Sequence, residues 1–310
     1  MYKRLLLGPQ RPVRNLGDAV DAAGFDQRPL AVISAGWQEA EGDIEDVHEL
    51  VRRPLVDLGL YRRAEELFAE DGALAECYRR RQDQLIEQQR LYRLRLRYLM
   101  LAARQVLRAD SESGAAGAEL RHAISQLRAL DRHHVRRVQA IGKSFEAQFA
   151  RGEGSALARH VHDIEQQLAH CETVLITGGN VVVLLNRMRL FGVERLLRDK
   201  HLIAWSAGAM VLSRQIVLYH DRTPEGRRDP EVLGPGTGLL PGYVLLPDAR
   251  HRLRTRDAVR VDLLQRRFAP ARCVTLDSGA QLLFAGDRLA SASLARRLAH
   301  GGRLTRLDPA

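Results

Sequence analysis

The chain has 310 residues, 45% of them hydrophobic and 28% charged, with a formal net charge of +10. That is length enough for a sizeable core and two structural units. No run of about 18 uninterrupted apolar residues exists and the apolar start of the chain is a mere Leu5–Leu7, so neither a membrane span nor a secretory leader is expected, and the cytoplasm is the expected compartment.

The charge is uneven: residues 1–60 carry −3, residues 61–170 carry +4 and residues 171–310 carry +9. Arg250 to Arg272 alone holds 8 arginines. A basic patch can serve nucleic acid or an acidic small molecule. No aromatic interleaving or nucleic-acid motif accompanies it, so nucleic acid is not expected as a partner, and a solvated arginine surface is the simpler reading. Cys77, Cys171 and Cys273 are scattered, with no CxxC pair and no Cys/His cluster. They read as small buried hydrophobes, and no disulfide, metal or cofactor is expected.

In chain order, RLLLG reads as a short strand. Asn15 would cap the helical LGDAVDAAG, closed by Gly24, and LAVIS (Leu30–Ser34) reads as a second strand. This β-α-β grammar predicts a parallel sheet. The acidic stretch after Ser34 has no metal-ligand spacing and reads as acids in the first turn of a helix, with Trp37 packing under the helices that follow.

From Tyr61 to His170 strand signals vanish. One helix is expected from Ala64 through Leu107, broken by Asp110–Gly117. A second carries an apolar stripe: Leu120, Ile124, Leu127, Leu130, Val135, Val138, Ile141, Phe145 and Phe149. A loop at Arg151–Ser155 precedes a shorter helix ending near Leu168. The expectation is an α-helical hairpin, residues 61–170, inserted into an α/β domain made of residues 1–60 and 171–310. It would stand out from the sheet and could support homo-oligomer formation. At Cys171 the α/β grammar returns. Strands are expected at Val174–Thr177, Leu202–Trp205, Ile216–Tyr219, Tyr243–Leu246, Cys273–Leu276 and Leu282–Ala285. Helices are expected at Val181–Leu197, Ala207–Arg214 and Asp257–Arg267, and the first and last parts of the chain are expected to complete one sheet.

Ser206, in AWSAGAM, lies at a crossing from strand to helix among very small residues. That is the setting of a nucleophile elbow, and equally of a serine that caps a buried helix. The second element is VLITGGNVVVLL, where a strand ends in Gly178-Gly179-Asn180 before a helix. Such a turn can expose an N–H group to an oxyanion, or be an ordinary turn with Asn180 as the cap.

Together and in this order, TGGN–helix–strand–WSAGA resembles the family of aspartyl dipeptidase (dipeptidase E) and cyanophycinase. These are serine peptidases on the class I glutamine amidotransferase-like, flavodoxin-like α/β fold, a mostly parallel sheet flanked by helices. The resemblance covers about Val174 to Leu289 and, loosely, the first 40 residues. The small aspartyl dipeptidases have no counterpart of the helical region. The resemblance implies Ser206 as nucleophile, the N–H groups of Gly179 and Ala207 as oxyanion donors, and Asp221 as the acid that orients a histidine. The family's histidine position is filled by Asp248. His251, three residues on, shares a side with it if the chain turns helically after Pro247. His220 is a second substitute, expected to face away from Asp221. Arg254 and Arg256 match an R-x-R element of cyanophycinase-like sequences and would receive an aspartyl carboxylate, with Asn180 also on the substrate side. The implied activity is a cofactor-free serine peptidase acting on an acidic dipeptide or related amide. The alternative is a catalytically silent member that binds partners through its helices. Serine rather than cysteine at position 206 argues against glutamine amidotransferase chemistry.

Overall fold

The computed structural model describes residues 1–109, 114–148, 154–221 and 229–309. The chain opens with β1 (Lys3–Leu7), α1 (Leu16–Ala22) and β2 (Leu30–Ile33); a 3-10 turn at Ala35–Ala40 and α2 (Glu45–Val51) lead to β3 (Leu55–Asp57). Helices α3 (Leu60–Glu70), α4 (Gly72–Arg108), α5 (Gly114–Gln148) and α6 (Ala156–Ala169) follow without a strand between them among the described residues. Then come β4 (Thr173–Ile176), α7 (Val181–Leu190), β5 (His201–Trp205), α8 (Ala207–Val211), β6 (Gln215–Leu218), β7 (Glu231–Pro235) and β8 (Tyr243–Pro247). The chain closes with α9 (Ala249–Arg252), α10 (Ala258–Phe268), β9 (Arg272–Leu276), β10 (Gln281–Ala285), β11 (Arg288–Ser293), β12 (Arg296–Ala299) and β13 (Arg303–Arg306).

The main sheet has the order β11-β10-β1-β5-β4-β2-β3. From β1 to β3 all pairings are parallel, and the antiparallel pairings are those of β10 with β1 and with the edge strand β11. This is the expected fold class: α/β, with a mostly parallel central sheet flanked by helices. Strand alternation builds a core on each face. Leu5, Leu7, Leu30, Val32, Leu175 and Ile203 point to the side covered by α1 and α2. Leu6, Ala31, Ile33, Val174, Ile176 and Leu202 point to the larger core on the other side. Strands buried on both faces read as continuous apolar runs, which is why LAVI and HLIAW stood out in the sequence.

Three expectations are corrected. The later strands do not all join one sheet: β8 and β9 pair in parallel within a second sheet, β13-β12-β9-β8, and β6 pairs only with β7. Trp37 does not pack under the helices; it packs with the core on the α1/α2 face, its ring 6.4 Å from that of Trp205. The long helices do not stand out from the body. Cys77 meets Gln148 and Tyr92 meets Asp131, so α4 and α5 are antiparallel. The pair lies over β7 and α10, pinned by a buried polar network. Arg267 of α10 donates to both oxygens of Asp131 and, at 2.6 Å, to the Tyr92 hydroxyl, which itself accepts from the Val232 N–H. Burial raises the Tyr92 hydroxyl pKa far beyond its ordinary value, so it stays protonated and donates to Asp131. Gly234 of β7 fits because a Cβ there would lie 3.1 Å from Val138 Cγ1 of α5. Phe149, expected in the apolar stripe, and residues 110–113 and 151–153 of the expected breaks lie outside the described residues.

Candidate active site

The site forms at the C-terminal ends of β4 and β5, where an α/β sheet collects loops that can bind ligands. β5 passes into α8 through Ser206, whose backbone sits at φ 49°, ψ −116°. A non-glycine residue seldom adopts that region, which costs on the order of 1–3 kcal/mol, and the surroundings must hold it there. They do. The Ser206 N–H donates to Leu7 O at 3.2 Å, and Met210 N donates to Ser206 O at 3.1 Å. α8 also passes so close to β4 that a Cβ on Gly208 would lie 2.3 Å from Ile176 O. The hydroxyl makes no capping bond to the helix. Ser206 is therefore not a side-chain cap; it is an uncapped residue in a strained strand-to-helix turn. With only five residues, α8 contributes little dipole, so charge stabilisation here would come from individual N–H groups.

The TGGN turn lies beside the serine. A Cβ on Gly178 would meet Ser206 Cβ at 3.1 Å and Trp205 Nε1 at 3.0 Å. Gly179 has φ 111°, and a Cβ there would lie 2.3 Å from Gly36 O, so glycine is required at 179 and packs tightly at 178. Asn180 N donates to Gly36 O at 2.7 Å, which fixes the turn. The Asn180 side chain is engaged twice: Oδ1 caps α7 through Val182 and Val183, and Nδ2 donates to Gln38 Oε1.

A cleft of about 530 Å³ contains Ser206, Ala207 and Gly179. It also contains His220, Asp248 and Arg252, and Arg93, Asp229 and Glu231. His251, Asp221, Arg254 and Arg256 do not line it. His251 is exposed, and its Nδ1 lies 2.6 Å from Asp248 Oδ1; Asp248 faces the cleft from a left-handed backbone (φ 58°) at the end of β8. The helical turn expected after Pro247 is present as α9, and it does bring positions 248 and 251 together. Asp221 is fully buried and held bidentately by Arg260 Nε and Nη2, with a further bond from Arg254 N at 2.8 Å. Its carboxylate therefore orients no histidine in this structure. His220, its neighbour, lines the cleft, although both residues lie beyond the end of β6 at Leu218 and not in the strand expected to set them on opposite faces. Tyr219, which precedes His220, is buried, and its hydroxyl donates to Pro247 O, tying the His220 segment to the Asp248 segment. Burial holds that phenol far above its ordinary pKa. Ser206 Oγ makes no hydrogen bond to an imidazole among the described residues.

Arg254 and Arg256 are exposed; the cations in the cleft are Arg252, 3.5 Å from Asp248, and Arg93, paired bidentately with Glu231. Sequence reading missed Arg93, Asp229, Glu231 and Arg252. Arg93 belongs to the long helix α4, and no local pattern marks a residue brought in from a distant helix. Three carboxylates, Asp229, Glu231 and Asp248, face two guanidinium groups in the cleft. Among the described residues no cluster of His, Cys, Asp and Glu could hold a metal ion, and no helix is long and apolar enough to cross a membrane. The three cysteines are free and buried, and burial raises the Cys273 thiol to a pKa of about 12.

The matched stretch of a comparison with protein families contains this geometry. Residues 139–292 match peptidase family S51. The match spans the TGGN turn, Ser206, Asp221, Asp248 and His251, and leaves out β1 to β3, α3 and α4. Among solved structures, a peptidase from an acI-B1 Actinobacterium aligns with a TM-score of 0.46 at 12% identity, over 99% of this chain and 94% of that one. No curated protein matches the chain.

Proposed function

We propose that this chain is a serine peptidase or amide hydrolase of the S51 kind, with Ser206 as the nucleophile. The observation that carries the reading is the backbone of Ser206: a strained, uncapped serine at a strand-to-helix turn, in a cleft beside the Gly179 and Ala207 amides. In this reading the Ser206 oxygen attacks a carbonyl carbon and the two N–H groups receive the developing oxyanion. The serine proton needs a base. His220 is the imidazole that shares the cleft, so it takes that role in place of His251, which the structure holds on the outer side of Asp248. Asp221 supports the site by fixing Arg260 and the 252–254 backbone instead of by orienting the base. Each carboxylate of the cleft already has a guanidinium partner, Asp229 with Arg104, Glu231 with Arg93 and Asp248 with Arg252, so the substrate class rests on the family resemblance, which points to unblocked dipeptides. The acidic dipeptides of the resemblance belong in the same panel, with Arg252 as the receiving cation.

A second reading, a catalytically silent binding protein, draws on the Asp221–Arg260 pair and on an exposed apolar row on α4: Leu91, Leu94, Tyr98 and Leu101. Hydrolysis of free and N-acetylated dipeptides separates the two. The hydrolase reading expects turnover of unblocked dipeptides, abolished in Ser206→Ala and reduced by about 100-fold or more in His220→Gln. Turnover that survives Ser206→Ala, or none across the panel, supports the silent reading.

A further inference from the structure

Away from Ser206, a cavity of about 460 Å³ lies between the helical pair α4/α5 and the α7 region. Its distinctive feature is Arg81. This guanidinium is 7% exposed, makes no ion pair among the described residues, and has a buried Nε with no acceptor. It is held by rings instead, 5.6 Å from the Tyr78 centroid and 5.5 Å from that of Phe145. The aromatic faces and the Tyr78 hydroxyl satisfy the charge only in part, and Nε has no acceptor. Glu146 is the carboxylate that acts on it through space, without ion-pair contact.

The rest of the lining adds to the imbalance. Lys143, Arg189 and Arg195 bring further positive charge, against Glu146 and Glu194. Arg189 is spent in part, since it donates to Pro235 O and stands 3.9 Å from Glu194. Burial pushes the Arg189 and Arg81 pKa values down and that of Glu194 up. The volume suits a small molecule.

From this geometry we infer that the cavity is a second ligand site, independent of the Ser206 cleft, which takes a small multivalent oxyanion bound bidentately by Arg81 and closed over by Lys143 and Arg195. A planar fork matches a carboxylate or a phosphate equally well, so the chemistry common to both defines the ligand class.

Isothermal titration with inorganic pyrophosphate and with citrate, at ionic strength held constant with NaCl, tests this on the whole chain. Saturable binding of at least one anion with Kd below about 1 mM is expected. Arg81→Gln should weaken it about tenfold or more and Lys143→Gln severalfold, while Ser206→Ala should leave it unchanged. Stronger binding of pyrophosphate assigns a phosphorylated ligand, and stronger binding of citrate a polycarboxylate. Two results overturn the inference: no saturation by either anion up to about 10 mM, or binding that is lost in Ser206→Ala and kept in Arg81→Gln. Lys143 is exposed, so its variant keeps the test open should Arg81→Gln fail to fold, and unchanged affinity there would also overturn the site.

Discussion

Replacing Asp221 with asparagine separates the two roles open to its carboxylate. As the acid of a triad it would matter for rate and little for stability. In the structure both partners are buried, Asp221 at 0% and Arg260 at 1% side-chain exposure, and the guanidinium is clamped by two bonds to the carboxylate. Asparagine keeps the shape, removes the charge, and leaves one guanidinium bond without a proper acceptor. Breaking a buried pair on one side costs about 3–5 kcal/mol. Asp229 Oδ1, 3.6 Å from Arg260 Nη1, offers partial compensation, which points to the lower end, about 3 kcal/mol. For a chain of 310 residues that is a fall in Tm of about 5 °C. Denaturant unfolding followed by circular dichroism at pH 7 measures it. Replacing both partners with leucine and methionine should recover much of the loss, since the cost lies in the stranded charge. Stability within about 0.5 kcal/mol of wild type would refute the reasoning and return Asp221 to the list of catalytic acids.

Three further outcomes are expected. Ser206→Gly should raise stability by about 1 kcal/mol, measured by the same unfolding assay, because glycine adopts φ 49° without strain while the serine does not. Gly208→Val should abolish soluble expression or cost several kcal/mol, because its side chain would drive into Ile176 O and Thr177 O. His134 is buried, stacked 4.1 Å from the Tyr92 ring, and burial lowers its pKa below 6.5. A base with a lowered folded pKa loses its stabilising contribution as pH falls through the unfolded value, because the unfolded chain then takes the proton first. Between about pH 7 and pH 5.5 the wild type should therefore lose more unfolding free energy than His134→Phe; equal losses would show that His134 is not responsible.

Much of the fold was legible because buried parallel strands and amphipathic helices leave local patterns: LAVI, HLIAW and the stripe from Leu120 to Val138 all mark real elements. The short strands β3, β7 and β11 to β13 carry polar or mixed residues whose pairing is set by distant partners, and no local pattern announced them. The site divides the same way. The Ser206 turn and the paired glycines are local devices, visible as small residues at a strand end. Whether an aspartate meets a histidine or an arginine depends on where α10 packs, and Asp221 carries no sign of Arg260 in its own neighbourhood. Arg93 enters the cleft from the middle of α4 for a similar reason: the hairpin folds back on the body, which its amphipathic stripe allows but does not dictate.

The nucleophile itself is open to direct chemistry. Incubation with a fluorophosphonate, followed by intact-mass measurement and peptide mapping, reads out a covalent adduct. One adduct per chain, located on Ser206 and absent from Ser206→Ala, is the predicted result. A wild-type chain that gains no mass, or that labels equally with and without the Ser206 hydroxyl, would contradict the assignment.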